Sequence, residues 1–351
     1  VADGDDEQEY IYGLREVILD QSGEAWREIG LDLDGLCTTS ANGFPTECVP
    51  PGMPRPPTDG EEGIDNTFGD RLFPLVDLTV PGLQQTAQAA QEEGKLPALR
   101  LRGWNGENDD PRVEVVITNA IFTVPAADDG SIPEFDIESF VAVDPDSGER
   151  LLPDWDGEDY GFFRDTTFFD GDPEQPLIAD DNAYVAGGVL VARLPERVTI
   201  LFPAEEVGVL VRLTDATAFG TFSEDRGVLE DVIVTGRWKT LDLLATAENV
   251  GVCRGTDNYR ILSGQLDAIA DIRSMPGSGG EGVECDAVSL GVQFTGYRMR
   301  WGGLTPGPPV RNICEDDGGV PMDGGTGLDA GPGDPDAGAG DPDAGLPSDG
   351  G

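Results

Sequence analysis

The sequence predicts an all-β fold, a β-sandwich of jelly-roll type with two minor helices. Three observations point there. Between Tyr184 and Lys239 the chain reads as strand after strand: YVAGGVLVARL, VTILF, VGVLVRLTDATAFGTF and VLEDVIVTGRWK, all rich in branched and aromatic residues. Pro195, Pro203 and Gly227 punctuate those runs as turn residues. Helical periodicity is convincing in only two other places. Each strand must pair with neighbours and bury one face, so the flanking sequence is expected to supply the second layer.

Taken in order, residues 1–9 are acidic, and the opening VADGDDEQE is expected to be that of a mature or trimmed chain. YIYGLREVIL, from Tyr10, has the composition of a first strand, and WREIGLDLDGLC offers a short second one. Residues 37–62 are Pro/Gly-rich loop, after which GIDNTFGDRLFPLVDL re-enters the fold. Residues 83–93 (LQQTAQAAQEE) are strong helix formers, with Gly94 placed for a left-handed stop. Strand composition returns at Leu99–Leu101 and Val113–Val124, across the turn GWNGENDDP. One or two strands with long loops are expected between 126 and 183.

After the central run, Ile261, Leu262, Leu266, Ile269 and Ile272 recur at helical spacing behind an N-cap at Thr256 or Asp257. AVSLGVQFTGYRMRW forms a last strand whose uneven alternation leaves its buried face open. The folded domain is therefore placed at 10–314. From Glu315 to Gly351 there are nine Asp, one Glu and no Lys or Arg, a composition expected to be a disordered acidic tail or linker.

The balance of 68 acidic against 22 basic residues, a formal charge of −46, argues against nucleic-acid partners, whose phosphates would be repelled. An anionic membrane surface is disfavoured for the same reason. Such a charge attracts cations, calcium above all, although solubility alone also explains it. No run approaches the roughly 20 apolar residues of a membrane span. The absence of histidine removes Ser-His-Asp and Cys-His hydrolases and imidazole-bound zinc. Neither a phosphate-binding glycine loop nor GxSxG occurs.

Five cysteines without a CxxC point to disulfides, an oxidising compartment, and a secreted or cell-surface location. Cys37 and Cys48 bracket a short turn-rich segment and are the expected bridge. Cys253 with Cys314 is the favoured second pair, leaving Cys285, though spacing alone leaves this connectivity open.

Three groups could carry chemistry. Asp32 and Asp34 in DLDG, with Asp65 and Asn66 in GIDN, are the best candidates for calcium, because alternate acidic residues before a glycine turn supply several oxygens from one loop. DPDSGE and DWDG carry similar pairs; none is a full EF-hand, and D-x-D-G also arises as plain Asx-turns. Trp104 and Trp155 sit in polar loops, where exposed rings stack on sugars in glycan-binding sandwiches, or equally cap the end of a core. In Glu134-Phe135-Asp136-Ile137-Glu138, three carboxylates share one face of a strand. A retaining glycosidase needs such a pair about 5–5.5 Å apart, while a solvated strand face has the same pattern.

EFDIE resembles the signature of the laminarinase and lichenase family of β-glucanases, which are jelly-roll sandwiches. The resemblance covers these five residues and implies Glu134 as nucleophile, Glu138 as acid/base and Asp136 between them. Over most of 10–314, WREIGLDLDGLCT, GIDNTFG, LRGWNGENDDPRVEV and CDAVSLGVQF look similar to a family of uncharacterised secreted bacterial proteins with Asp/Gly/Pro-rich linkers. That resemblance implies export and brings no activity. The leading expectation is a non-catalytic exported or cell-surface protein, calcium-stabilised and binding a glycan or another surface component. A carboxylate-based retaining glycoside hydrolase and a structural envelope or matrix subunit are the alternatives.

Overall fold

The first strand, β1 (Glu9–Ile18), pairs with the last, β12 (Ala287–Thr305), with Ile11 opposite Met299 and Arg15 opposite Thr295. This pairing overturns the jelly-roll sandwich. In the computed structural model, which describes residues 9–51, 56–79, 81–125, 132–136, 141–144, 146–204, 207–306 and 313–316, the main sheet closes on itself.

β2 (Lys95–Arg102) pairs with β1 and with β3 (Asp110–Thr123), and β3 continues to β7 (Ala179–Ala186). β8 (Val189–Arg193), β10 (Val207–Phe222) and β11 (Val228–Lys239) complete the circuit to β12. Every contact in this ring of eight strands is antiparallel, so it is a β-barrel. The second layer expected from flanking sequence is the far wall of the same sheet. Bulges help the long strands curve: Glu16, Asp215 and Asp231 take left-handed φ values of 58°, 51° and 48°, at or beside breaks in register. Between β7 and β8, Gly187 and Gly188 both take positive φ, as a two-residue primed turn requires.

A second, smaller ring shares four of these strands. β6 (Tyr160–Arg164) runs antiparallel to the end of β3 and parallel to the end of β12. It thereby closes β1, β2, β3 and β12 on their outer face. Along β1, Tyr10, Tyr12 and Leu14 point into the barrel, while Ile11 joins Leu96, Ala98, Val116, Phe122, Phe163 and Met299 in the outer core. Both faces of these strands are buried.

One barrel end is plugged by Trp104, which is 0% exposed. Its ring stacks on Phe222 at 4.1 Å and meets Tyr10 at 4.6 Å, and its indole N–H donates to the Glu107 carbonyl at 3.1 Å. Trp104 is therefore core rather than an exposed sugar platform. Trp155 is half-buried, packed between Phe122, Tyr297 and the Arg15 guanidinium.

At the other end, β9 (Arg197–Ala204) pairs only with β10 among the described residues, and Val198, Ile200 and Val211 join the inner core. Pro203 marks no turn; it lies within this edge strand, where proline is tolerated. Helices add to the same core: α1 (Phe73–Thr79, entered through a π-helical turn), α2 (Leu83–Glu92), α3 (Thr240–Asn249) and α4 (Asp257–Ile269). α2 and α4 lie at the two helical segments read from sequence, and Thr256 caps α4 by accepting from the Tyr259 N–H. The short strand expected in WREIGLDLDGLC is instead a 3-10 turn, Ala25–Arg27, followed by a single bridge from Leu31 to Asp65. No helix among the described residues is long and apolar enough to cross a membrane. The acidic stretch 317–351 and residues 1–8 lie outside the described residues.

Cys253 bonds Cys314, on the short helix α5 (Ile313–Asp316). Cys48 bonds Cys285, not Cys37. The Cys48 segment docks beside Glu284, the Val49 N–H donating to the Val283 carbonyl at 2.7 Å and the Cys285 N–H to the Val49 carbonyl at 3.0 Å, while Cys37 is exposed and unbonded. Two bridges indicate maturation in an oxidising, extracytoplasmic environment.

Two outcomes follow. Trp104→Ala should destabilise the fold by about 3–5 kcal/mol in denaturant unfolding, the range for truncating a buried aromatic. Alkylating the denatured, unreduced protein and mapping peptides by mass should label Cys37 alone.

Candidate cation site

The DLDG and GIDN loops lie against the outside of the barrel wall, held by Asn66. Its amide N–H group donates to the carbonyl of Ile29 and the side-chain oxygen of Gln21, both at 2.7 Å. Its oxygen accepts from the backbone N–H groups of Gly69 and Gly291, both at 3.1 Å. A Cβ at Gly291 would fall 2.1 Å from the Ile29 carbonyl oxygen, so glycine is needed for this close approach. With its side chain consumed in these bonds, Asn66 is a structural clamp and not a cation ligand, contrary to the expectation from sequence.

Asp65 is placed by that clamp. It is 6% exposed, and its carboxylate accepts from the N–H groups of Leu33 at 2.7 Å and Asp34 at 3.2 Å. The turn is set by Asp32 and Asp34, which accept from Gly35 N–H at 2.7 Å and Leu36 N–H at 2.8 Å. One carboxylate oxygen from each of Asp32, Asp34 and Asp65 lies within 4.8 Å of the other two. These three residues have the composition and spacing to hold a metal ion. Exposure grades across the group, from Asp32 at the surface to Asp65 inside.

Further carboxylates stand behind it. Asp271 accepts from Thr67 Oγ1 at 2.9 Å and from Ser289 N–H at 2.9 Å, and Asp59 accepts from Thr38 N–H. Among the described residues none of Asp32, Asp34, Asp59, Asp65 or Asp271 forms an ion pair with a basic side chain. Arg237, the nearest buried cation to the loop, is engaged elsewhere: it is 1% exposed and pairs with Glu47 at 2.8 Å and Asp215 at 3.2 Å. It also donates to the Leu33 carbonyl and so pins the DLDG loop to the wall. Burial, reinforced by the neighbouring carboxylates Asp271, Asp34 and Asp59, pushes Asp65 up to about 9. Burial likewise raises Asp59 to about 7, and Asp271 to about 6 against the hydrogen bonds from Ser289 and Thr67. Asp34 is raised mainly by burial.

DWDGED repeats the loop design. The carboxylate of Asp159, itself 0% exposed, accepts from Trp155 N–H at 2.7 Å and Asp154 N–H at 3.3 Å, and Asp154, Asp156 and Asp159 form a second group of the same spacing. Burial raises Asp159 to about 6. Asp144, in DPDSGE, only closes an Asx-turn by accepting from the N–H groups of Asp146 and Ser147. Asp159, two residues beyond the glycine of DWDG, was not singled out from sequence; its signal was its place as the fourth acid of DWDGED.

Glu134 of EFDIE belongs to neither group. Among the described residues β4 (Glu134–Asp136) pairs only with β5 (Val141–Val143), in a separate two-stranded ribbon, and Glu134 is exposed. Glu138 lies outside the described residues.

The raised carboxylates set a sign for pH dependence. A group whose folded pKa exceeds its unfolded value contributes its full stability only below the unfolded value, about 3.9 for Asp, and loses it as pH climbs through the folded one. With divalent cations chelated, the melting temperature should fall between about pH 5 and about pH 8, and Asp65→Asn should flatten that fall. A melting temperature equally steep in both proteins would contradict the assignment to Asp65. No protein-family model, curated protein or solved structure matches the chain.

Proposed function

We propose that this chain is a non-catalytic exported protein whose barrel is stabilised by a calcium ion held by Asp32, Asp34 and Asp65, and which presents a ligand site on its surface. The observation that carries this reading is the convergence of three carboxylates from two separate loops, one of them buried, with no basic partner among the described residues. A buried carboxylate without a counter-charge is unfavourable unless it is protonated or bound to a cation. The chain has no histidine and the group has no thiolate, so its donors are oxygen only, the set that selects hard cations. Calcium suits it best, because calcium accepts irregular loop geometry and mixes carboxylates with carbonyl and water oxygens. Magnesium demands a stricter octahedron.

The role is structural in the first place. Asp65 ties the DLDG loop to the segment that Asn66 clamps on β12, so a cation there staples two loops to the barrel wall. The glycosidase reading has no comparable support, since Glu134 is exposed on the β4–β5 ribbon.

The test is thermal unfolding with calcium or chelator. Calcium at about one hundred times its Kd should add roughly 2.7 kcal/mol, or about 4 °C in a chain of this size. Asp34→Ala and Asp65→Asn should each remove the gain. An identical melt in calcium and chelator for the unaltered protein would reject the site.

A further inference from the structure

A groove of about 760 Å³ opens at the barrel end where β8 turns into β9 and α3 begins. Its lining is unusual for so acidic a chain. Arg193, exposed, and Lys239, half-buried, both face this groove, and neither side chain forms an ion pair among the described residues, although the Arg193 backbone N–H donates to the Asp180 carboxylate at 2.7 Å. Two acids in the same wall are already matched: Asp242 pairs with Arg197 at 3.0 Å and Arg212 at 3.8 Å, and Asp215 pairs with Arg237 at 3.2 Å. The ten-residue helix α3 starts at Thr240 with no side-chain cap on its first N–H groups, adding the positive end of its dipole beside Lys239. Leu241 and Met275, which also line the groove, are 66% and 63% exposed, large apolar groups left uncovered.

We infer that this groove binds a monocarboxylate with an apolar body, its carboxylate held by Arg193 and Lys239 and its body lying on Leu241 and Met275. The charge count favours one carboxylate over two. Asp32 and Glu196 stand on the rim, and the chain carries −46 overall, so a dianion meets repulsion that two basic groups do not offset. The volume suits a small ligand. Met275 adds an unbranched, adaptable surface that accommodates varied apolar shapes. The inference does not depend on a cation at Asp65, because the basic groups and the apolar wall belong to β8, β11, α3 and the loop before Pro276.

The test is calorimetric titration with octanoate in chelator, which removes calcium and with it the question of the cation site. Saturable octanoate binding is expected, with 1-octanol at least tenfold weaker. Arg193→Gln and Lys239→Gln should each weaken octanoate by about tenfold, the loss of one charge-assisted contact. Arg112→Gln, which removes an exposed charge that pairs with Asp181 and lines no part of the groove, should leave the affinity unchanged. Absence of saturable binding, equal binding of octanol, or undiminished affinity in the Arg193→Gln, Lys239→Gln double variant would overturn the inference. So would an equal loss in Arg112→Gln, which would trace the binding to overall charge.

Discussion

The hydrogen-bonded contact between β1 and β12 is the constraint on which the other parts depend. It joins strands from opposite ends of the described chain and closes both rings at once, because β12 reaches β6 with its last residues and β11 with its earlier ones. Ordering so long a loop costs entropy before any contact compensates for it. The compensation is burial on two faces: Tyr12 and Leu14 inside, Ile11 and Met299 outside. Closure also leaves few free edges. Among the described residues β9 has only one strand neighbour, and its proline interrupts the row of donors that would invite another strand.

The outer surface of β11 and β12 then becomes a platform for polar construction. Arg237 and Ser289 point away from the barrel interior, one gripping Glu47 and Asp215, the other bonded to Asp271. Loops from early in the chain lie over them, so carboxylates remote in sequence are pressed together and partly stripped of water. Acidic composition alone would spread these charges apart. The barrel wall brings them together, and the hydrogen bonds from Thr67 and Ser289 compensate Asp271 more fully than the backbone bonds compensate Asp65.

Much of this was readable from residues. The strand runs and the helices at 83–92 and 257–269 follow from local pattern and spacing, whereas DLDG and GIDN were paired on composition and are brought together by the barrel wall. Topology did not, for a physical reason: alternation reports a strand with one wet face, and β1, β3 and β12 are buried on both faces over much of their length. The uneven pattern of AVSLGVQFTGYRMRW, which obscured its buried face, is what a strand buried on both sides looks like. Trp104 misled because GWNGENDD is polar, yet the loop folds inward and its indole finds the Glu107 carbonyl. Asn66 has a ligand's chemistry and a clamp's surroundings, and its bonds to Ile29, Gln21, Gly69 and Gly291 distinguish the two. Cys37 and Cys48 are neighbours in sequence, but Cys48 is carried to Cys285 by pairing along Val49. The helix α3 had the composition of a helix, TLDLLATAEN, but follows a strand without a break.

The bond between Cys253 and Cys314 has a mechanical consequence. Tension arriving through the residues beyond Cys314 does not pull on β12. It crosses the sulfur bridge to Cys253 and passes into α3 and β11, leaving the loop between the two cysteines, α4 and β12 included, out of the load path. The strand that closes both rings is thus slack under any force applied from that side, and the barrel is loaded through an interior strand already held on both flanks. A covalent bypass of this kind lets the far end of the chain be tugged, towed or tethered without peeling away its keystone.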